Sequence, residues 1–274
     1  MNISDGGWEP GFPPVMRLID LNNGSEKPWK LLQAHPDYEA AKNKEDRFAA
    51  LRLVQDFIIR PENQAQIKAL KQKYTGTIII PIRAIEAGGK NRIPETLAEV
   101  IGQITGFEVD YNIVQTNRVH RTGTDEWHRF AFRPAFDGKV NTGKNYILVD
   151  DVFALGGSLN ELRMFVERNG GKVVQAVAMT TGRSGTEIAL APKTLKSLVD
   201  RYGSDNLQCF LKEIDLYGGN YKALTEPEAR AIRRAPSLDK ARNRILTARC
   251  QGRPRVVQED IQNPKIPQIK SQKR

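Results

Sequence analysis

Residues 146–162 read YILVDDVFALGGSLNEL, and this stretch decides the expected fold. Its first four residues predict a buried strand over 146–149, and two adjacent aspartates, Asp150 and Asp151, follow that strand. Two glycines and a serine then lead into a segment that predicts a helix over 158–169. Because neighbouring carboxylates repel each other and are costly to bury unpaired, we expect a ligand or a metal to compensate them.

Strands and helices alternate on both sides of this stretch. A β-branched run predicts a strand over 77–80, a helix opens at Pro94, and residues 172–182 predict the strand after the central helix. Strands that alternate with helices form a parallel sheet with helices on both faces. The sequence therefore predicts an α/β fold with a doubly wound, mainly parallel sheet.

The regions that flank this core differ from it in composition. We divide the chain into an N-terminal arm and helix (1–73), a core (74–220), and a basic helical segment with a disordered tail (221–274). Residues 1–34 are rich in Gly, Pro and Trp and predict an irregular arm, which one or two helices over 37–73 follow. Further helices are predicted over 192–202 and 225–248.

Charge and cysteine content restrict the class of protein. The formal net charge of +10 favours anionic partners, such as nucleic acid or phosphate-bearing metabolites. Cys209 and Cys250 are far apart and form no CxxC pattern, so neither a disulfide framework nor a zinc site is indicated. Because no signal-like segment and no long apolar run occur, we expect a cytoplasmic protein without a membrane partner.

The acidic pair and the loop after it form the candidate ligand site. Ligands of an open parallel sheet bind beyond the carboxyl ends of the strands, and a helix N-terminus binds phosphate through its free N–H groups. Gly156 and Gly157 permit a tight turn, and Ser158 serves as helix cap or hydroxyl donor. The two acids would then accept hydrogen bonds from sugar hydroxyls or hold Mg²⁺ through water.

The stretch ILVDDVFALGGSL, residues 147–159, resembles the 5-phosphoribosyl-1-pyrophosphate (PRPP) motif of the type I phosphoribosyltransferases. The resemblance covers residues 70–185 and implies the fold of that family. It also implies a Mg²⁺-dependent transfer of the phosphoribosyl group from PRPP to a purine or another nitrogenous base, with release of pyrophosphate. In loop pattern the chain is most similar to adenine phosphoribosyltransferase-like members, which share an alanine at the position of Ala154.

Two positions of the loop depart from the common family pattern. Leu155 lacks a hydroxyl that many members have there, which predicts weaker phosphate binding. Ala154 stands where hypoxanthine-type members place an aspartate as the base, so their mechanism is not expected. The residues leave the general base unassigned.

The resemblance assigns roles residue by residue. Asp150, Asp151 and Arg83 are the expected catalytic residues, and the two acids are also the expected Mg²⁺ ligands. The expected PRPP-binding residues are Asp150, Asp151, Val152, Phe153, Ala154, Leu155, Gly156, Gly157 and Ser158. The expected pyrophosphate-binding residues are Arg83, Lys90 and Arg121.

An Arg-rich insertion over 116–144 takes the place of the flexible loop that closes over PRPP in this family. Its arginines, which include Arg129 and Arg133, suit pyrophosphate charge, and Trp127 and Phe130 would form an apolar flap or hairpin. His120 and His128 are candidates for acid or base. The alternative, that most of these residues lie on the surface of a β hairpin, stays open.

Several other interpretations compete with the enzyme. A nucleotide triphosphatase would need GxxxxGK[ST], and neither EAGGKNR nor NTGKNY has the final Ser or Thr. A doubly wound fold with incidental acids is a further alternative. A PRPP- or nucleotide-responsive regulator would bind nucleic acid through the basic segment 225–248. A toxin or effector of a bacterial toxin–antitoxin or defence system would use that segment for an antitoxin, and a homodimer is common in the family.

Overall fold

A five-stranded sheet lies at the centre of the computed structural model, which describes residues 6–19, 27–83, 85–86, 89–117, 119, 125–182 and 185–252. Every strand pair in this sheet is parallel. In spatial order its strands are Glu108–Val109 (β5), Ile78–Pro81 (β2), Asn145–Phe153 (β8), Lys172–Thr181 (β9) and Met16–Arg17 (β1). Two short antiparallel ladders join Ile85–Glu86 (β3) to Gly89–Lys90 (β4) and Val114–Gln115 (β6) to Phe136–Asp137 (β7).

Helices cover both faces of the sheet, which confirms the predicted doubly wound α/β class. One face carries Pro28–Gln33 (α1), Tyr38–Asn43 (α2), Arg47–Ile58 (α3), Pro61–Lys73 (α4) and Ile93–Thr105 (α5), and the other carries Gly157–Arg168 (α7). Alternate strand residues serve the two cores, because successive side chains of a strand point to opposite faces. Ile79 and Ile147 pack into the first core, and Ile80 and Leu148 into the second.

A third hydrophobic cluster lies among helices away from the sheet. Its helices are Glu126–Ala131 (α6), Pro192–Tyr202 (α8), Ser204–Glu213 (α9), Glu226–Arg234 (α10) and Leu238–Gln251 (α11). Trp127 and Phe130 of α6 are only 5% and 1% exposed and belong to this cluster. The prediction that they form an apolar flap or a surface hairpin is therefore wrong, because α6 packs against α11.

The central strand is longer than predicted, and its extension positions the acidic pair. β8 continues to Phe153, so Asp150 and Asp151 lie inside the strand instead of after it. β9 pairs with β8 as far as Phe153, whereas β2 ends opposite Val149. The strand order also reverses between β2 and β8, since β5 follows β2 on one side and β9 follows β8 on the other. Ligands of open α/β sheets bind at such a reversal.

Other segments differ from the predictions for local reasons. The N-terminal arm contributes β1 to the sheet edge, where Met16 pairs with Val177. Residues 37–73 form three helices, because Glu45 has a positive φ of 56° and Asp46 caps α3. The predicted helix over 225–248 is two helices, and Ser237 caps the second.

Helices α7 and α8 confirm the predictions for their segments, and the tail over 253–274 lies outside the described residues. Within the described part of the chain, no helix is long and apolar enough to span a membrane.

We expect Ile79→Ala to lower the free energy of unfolding by about 2–5 kcal/mol, because it opens a cavity beneath the sheet. Urea unfolding followed by circular dichroism measures this loss. The matched control is Ile59→Ala at a side chain that is 71% exposed, and it should change the free energy by no more than about 0.5 kcal/mol. Equal losses in the two variants would contradict the packing described for the sheet.

Candidate functional site

The two carboxylates of β8 have different surroundings. Asp151 is buried, and its Oδ2 forms an ion pair with the Lys42 ammonium and accepts a hydrogen bond from Asn91 Nδ2 at 2.9 Å. Its Oδ1 accepts the Val152 N–H at 2.8 Å. Asp150 is half-buried, accepts the Asp151 N–H at 2.8 Å, and lines a small pocket on the side of the following loop. The chain itself therefore compensates Asp151, while Asp150 borders a pocket.

These surroundings move the two pKa values in opposite directions. Burial, together with the nearby Asp151 carboxylate, raises the pKa of Asp150 above its usual range. Burial alone would also raise the pKa of Asp151, but the Lys42 ammonium and the Asn91 amide lower it overall. The pair therefore carries its negative charge mainly on Asp151, opposite Lys42.

The loop after β8 forms the wall of the pocket that Asp150 borders. α7 begins at Gly157, and Gly156 caps it with a φ of +79°. A Cβ at Gly156 would lie 2.8 Å from the Phe153 ring, so only glycine fits both the conformation and the space. The expectation that Ser158 caps this helix is wrong, because Ser158 is already its second residue. The remaining walls come from Arg129 and Arg133.

Arg133 is the centre of a buried polar network beside this loop. Its guanidinium donates to Glu161 at 3.0 Å, to Glu228 at 2.5 Å, to the Gly157 carbonyl at 3.4 Å, and to the Tyr217 hydroxyl. Burial alone would lower the pKa of Arg133, but Tyr217 and the two glutamates raise it, so it stays charged. Arg133, expected at the pyrophosphate, thus lies at the N-terminus of α7.

Helix α10 supports the same loop from the helical cluster. The Thr225 hydroxyl donates to the Leu155 carbonyl at 2.5 Å, and Thr225 also forms a capping box with Glu228. Leu155 is 8% exposed and packs into the third hydrophobic cluster. The leucine at this position therefore has a packing role, because it anchors the loop on the C-terminal helices.

The expected pyrophosphate-binding residues Arg83 and Lys90 lie close to one carboxylate. Glu95, in the first turn of α5, is 3.4 Å from Arg83 Nη2 and 3.7 Å from Lys90 Nζ. Arg83 also donates to the Tyr111 carbonyl at 2.6 Å. The adjoining Asn91 bonds Asp151, so these cations lie next to the acidic pair. Arg121, Arg118, His120 and Gly88 lie outside the described residues.

Sequence reasoning missed Lys42 and Asn91. Lys42 is 109 residues from Asp151 in a short helix, and no local pattern marks it as a partner. Asn91 lies between Lys90, which was predicted to bind pyrophosphate, and the start of α5. A polar residue at that position was the signal in the sequence that could have identified it as part of the site. His128, a predicted acid or base, lies in α6 facing α11 and does not line the pocket of Asp150.

Comparisons with known proteins give two relatives in sequence. The chain is 40% identical over 245 residues to Protein TraN of Escherichia coli, which covers 89% of this chain and 52% of TraN. It is 36% identical over 161 residues to an uncharacterized protein of Haemophilus influenzae, which covers 58% of this chain and 33% of that protein. The chain thus spans about half the length, or less, of these curated relatives. No family model matches it.

Similar solved structures include several phosphoribosyltransferases. An adenine phosphoribosyltransferase matches with a TM-score of 0.34 and 12% identity, over 52% of this chain and 74% of that one. The adenine phosphoribosyltransferase of Leishmania donovani matches with a TM-score of 0.31 and 16% identity, over 47% of this chain and 56% of that one. The purine phosphoribosyltransferase of Pyrococcus horikoshii matches with a TM-score of 0.28 and 18% identity, over 43% of this chain and 80% of that one. These scores are too low to carry an argument about activity.

Replacing Glu228 by Gln should lower the free energy of unfolding by about 3 kcal/mol, because Arg133 then loses a fully buried counter-charge. Glutamine can still complete the capping box, so the loss reports on charge. Chemical unfolding measures it. The control is Asp239→Asn, at a side chain that is 75% exposed, whose ion pair with Arg242 contributes little. A Glu228→Gln variant as stable as this control would contradict the importance of the network.

Proposed function

We propose that this chain is a phosphoribosyltransferase that transfers the phosphoribosyl group of PRPP to a nitrogen atom of a purine or another nitrogenous base. The observation that supports the proposal is the pocket that Asp150 shares with residues 152–159 and the N-terminus of α7. A carboxyl group beside a helix N-terminus suits a sugar phosphate, which carries both hydroxyls and a phosphate.

The proposed site has three parts. Backbone N–H groups of residues 154–158 bind the 5-phosphate, and Arg129 adds positive charge there. Asp150 accepts hydrogen bonds from the ribose hydroxyls, and Asp151 lies beside it. Arg83 and Lys90, which lie beside Glu95, bind the pyrophosphate in this proposal. Arg121, the third residue predicted to bind pyrophosphate, lies outside the described residues.

The proposed reaction exchanges one bond at C1 of the ribose. The bond from C1 to the pyrophosphate oxygen breaks, and its electron pair stays on pyrophosphate. A nitrogen of the base donates the electron pair of the new C1–N bond, and its proton leaves to solvent or to a group that stays unassigned. Arg83 and Lys90 stabilise the charge that grows on the leaving group, because fixed cations act where charge develops.

Magnesium enters this proposal with PRPP, whose pyrophosphate oxygens are hard ligands that suit the ion. Asp151 does not fit a directly bound divalent cation, since Lys42 and Asn91 occupy its Oδ2. Among the described residues, no group of three or more His, Cys, Asp or Glu side chains could hold a metal. No step of the proposed reaction depends on a protein-bound metal.

A PRPP- or nucleotide-responsive regulator is the second candidate, and one observation favours it. The charge of Asp151 is balanced within the chain by Lys42, and Glu95 balances part of the positive charge of Arg83 and Lys90, which suits binding without turnover. Nucleic-acid binding by the basic helices has less support. Arg230 and Arg234 of α10 and Arg242 of α11 form ion pairs with carboxylates of the same chain.

The wider biological setting stays a prediction. A cytoplasmic toxin or effector of a toxin–antitoxin or defence system, a homodimer, and an antitoxin as partner are part of the proposal. Toxicity on expression that Asp150→Asn abolishes would support this setting, and harmless expression of the soluble wild type would count against it.

Incubation with PRPP, Mg²⁺ and a panel of bases should release pyrophosphate and form one nucleotide, both detected by mass spectrometry. Asp150→Asn should lower the rate about a hundredfold, because the ribose is no longer fixed for attack. The control is Asp200→Asn, at an exposed residue of α8 that forms an ion pair with Lys196, and it should keep full activity.

Full pyrophosphate release by Asp150→Asn would refute the catalytic role of this residue. Binding of PRPP without any turnover across the panel would instead support the regulator.

A further inference from the structure

Lys42 places a positive charge at the centre of the site from a distant helix. It lies in the last turn of α2, and its side chain is 8% exposed. Its ammonium pairs with Asp151 Oδ2, whose carboxylate is 10% exposed. A buried ion pair of this kind is maintained only when both partners have further hydrogen bonds, and Asn91 and the Val152 N–H supply them for Asp151.

The acceptor positions of Asp151 are nearly filled. A carboxylate offers about four lone-pair sites, and Lys42, Asn91 and the Val152 N–H occupy three of them. A divalent cation that bound Oδ2 would lie about 2.0–2.6 Å from it, so it would have to take the place of the ammonium there. Lys42 and a metal at this oxygen therefore exclude each other.

Several contacts hold helix α2, and with it Lys42, in this position. The Ala41 carbonyl accepts the Arg92 N–H at 3.0 Å, and Ala41 is fully buried. Glu45, just after α2, accepts the Lys90 N–H at 3.0 Å. The Tyr38 ring lies 5.8 Å from the ammonium. The lysine is thus fixed to the hairpin β3–β4 and to the start of α5, on the side where Arg83 and Lys90 lie.

We propose that Lys42 takes the place of a divalent cation at Asp151, so that the ribose end of the site holds no metal of its own. The charge of Asp151 is then balanced within the chain, and Asp150 is the acidic side chain left to bind the ligand. This inference rests on the proposed function for the identity of the ligand, but the exclusion of metal does not depend on turnover. Lys42 acts through Asp151 and is a positioning residue.

The test is a titration of the full chain with Mn²⁺ alone, in which electron paramagnetic resonance reports the free ion. The wild type should show no stoichiometric Mn²⁺ site with a Kd below about 1 mM, the upper end of the range for weak carboxylate sites. Lys42→Met keeps the length of the side chain and removes its charge, so it should gain one Mn²⁺ site. The double variant Lys42→Met with Asp151→Asn should lose that site again.

Lys44→Met is the matched control, because Lys44 is two residues away and exposed, and it should behave as the wild type. A wild-type Mn²⁺ site that Asp151→Asn removes would overturn the proposal, and this comparison does not require Lys42→Met to fold. A folded Lys42→Met variant that gains no site would overturn it as well.

A second measurement separates this inference from the proposed function. Ribose 5-phosphate carries the ribose and phosphate but no pyrophosphate, and its binding to the wild type, measured by calorimetry, should be unchanged by EDTA. Binding that EDTA abolishes would contradict the role of Lys42. Failure of phosphoribosyl transfer leaves the Mn²⁺ result unaffected, because that titration contains no PRPP.

Discussion

The structure depends on how a buried strand accommodates two adjacent carboxylates. β8 has to pair with β9 beyond the end of β2, and this extension carries Asp150 and Asp151 into the sheet. A buried carboxylate without a partner is costly, so Asp151 requires a cation from elsewhere in the chain. Lys42 meets this requirement, and α2 is consequently packed against the hairpin β3–β4 and the start of α5. The N-terminal helices are thereby part of the site.

The position of the loop after β8 depends in a similar way on the C-terminal helices. Arg133 reaches the first turn of α7 and the buried Glu228 of α10, while Thr225 bonds the carbonyl of Leu155. Leu155 itself is part of the third hydrophobic cluster. The proposed phosphate-binding loop is therefore held from both sides, by the sheet and by the helical cluster, and its geometry requires both to be folded.

Much of the sheet could be predicted because its signals are local. β-branched runs, the glycines of the turn and Pro94 at a helix start identify β2, β8, β9, α5 and α7 within a few residues of their bounds. β1 was missed because Met16–Arg17 is only two residues long and lies in a Gly- and Pro-rich arm. Its pairing with β9 comes from the sheet edge, and two residues carry no periodicity.

The class of fold and the place of the candidate site could be predicted from the amino-acid sequence, because strand propensity, turn glycines and the order of residues 146–158 act over short distances. Which charges meet at that site depends on the folding of the whole chain. Lys42 and Asp151 are 109 residues apart, and Arg133 and Glu228 are 95 residues apart. Such residues become partners because folding buries both of them at the same place, and the sequence near one residue contains no pattern that identifies the other.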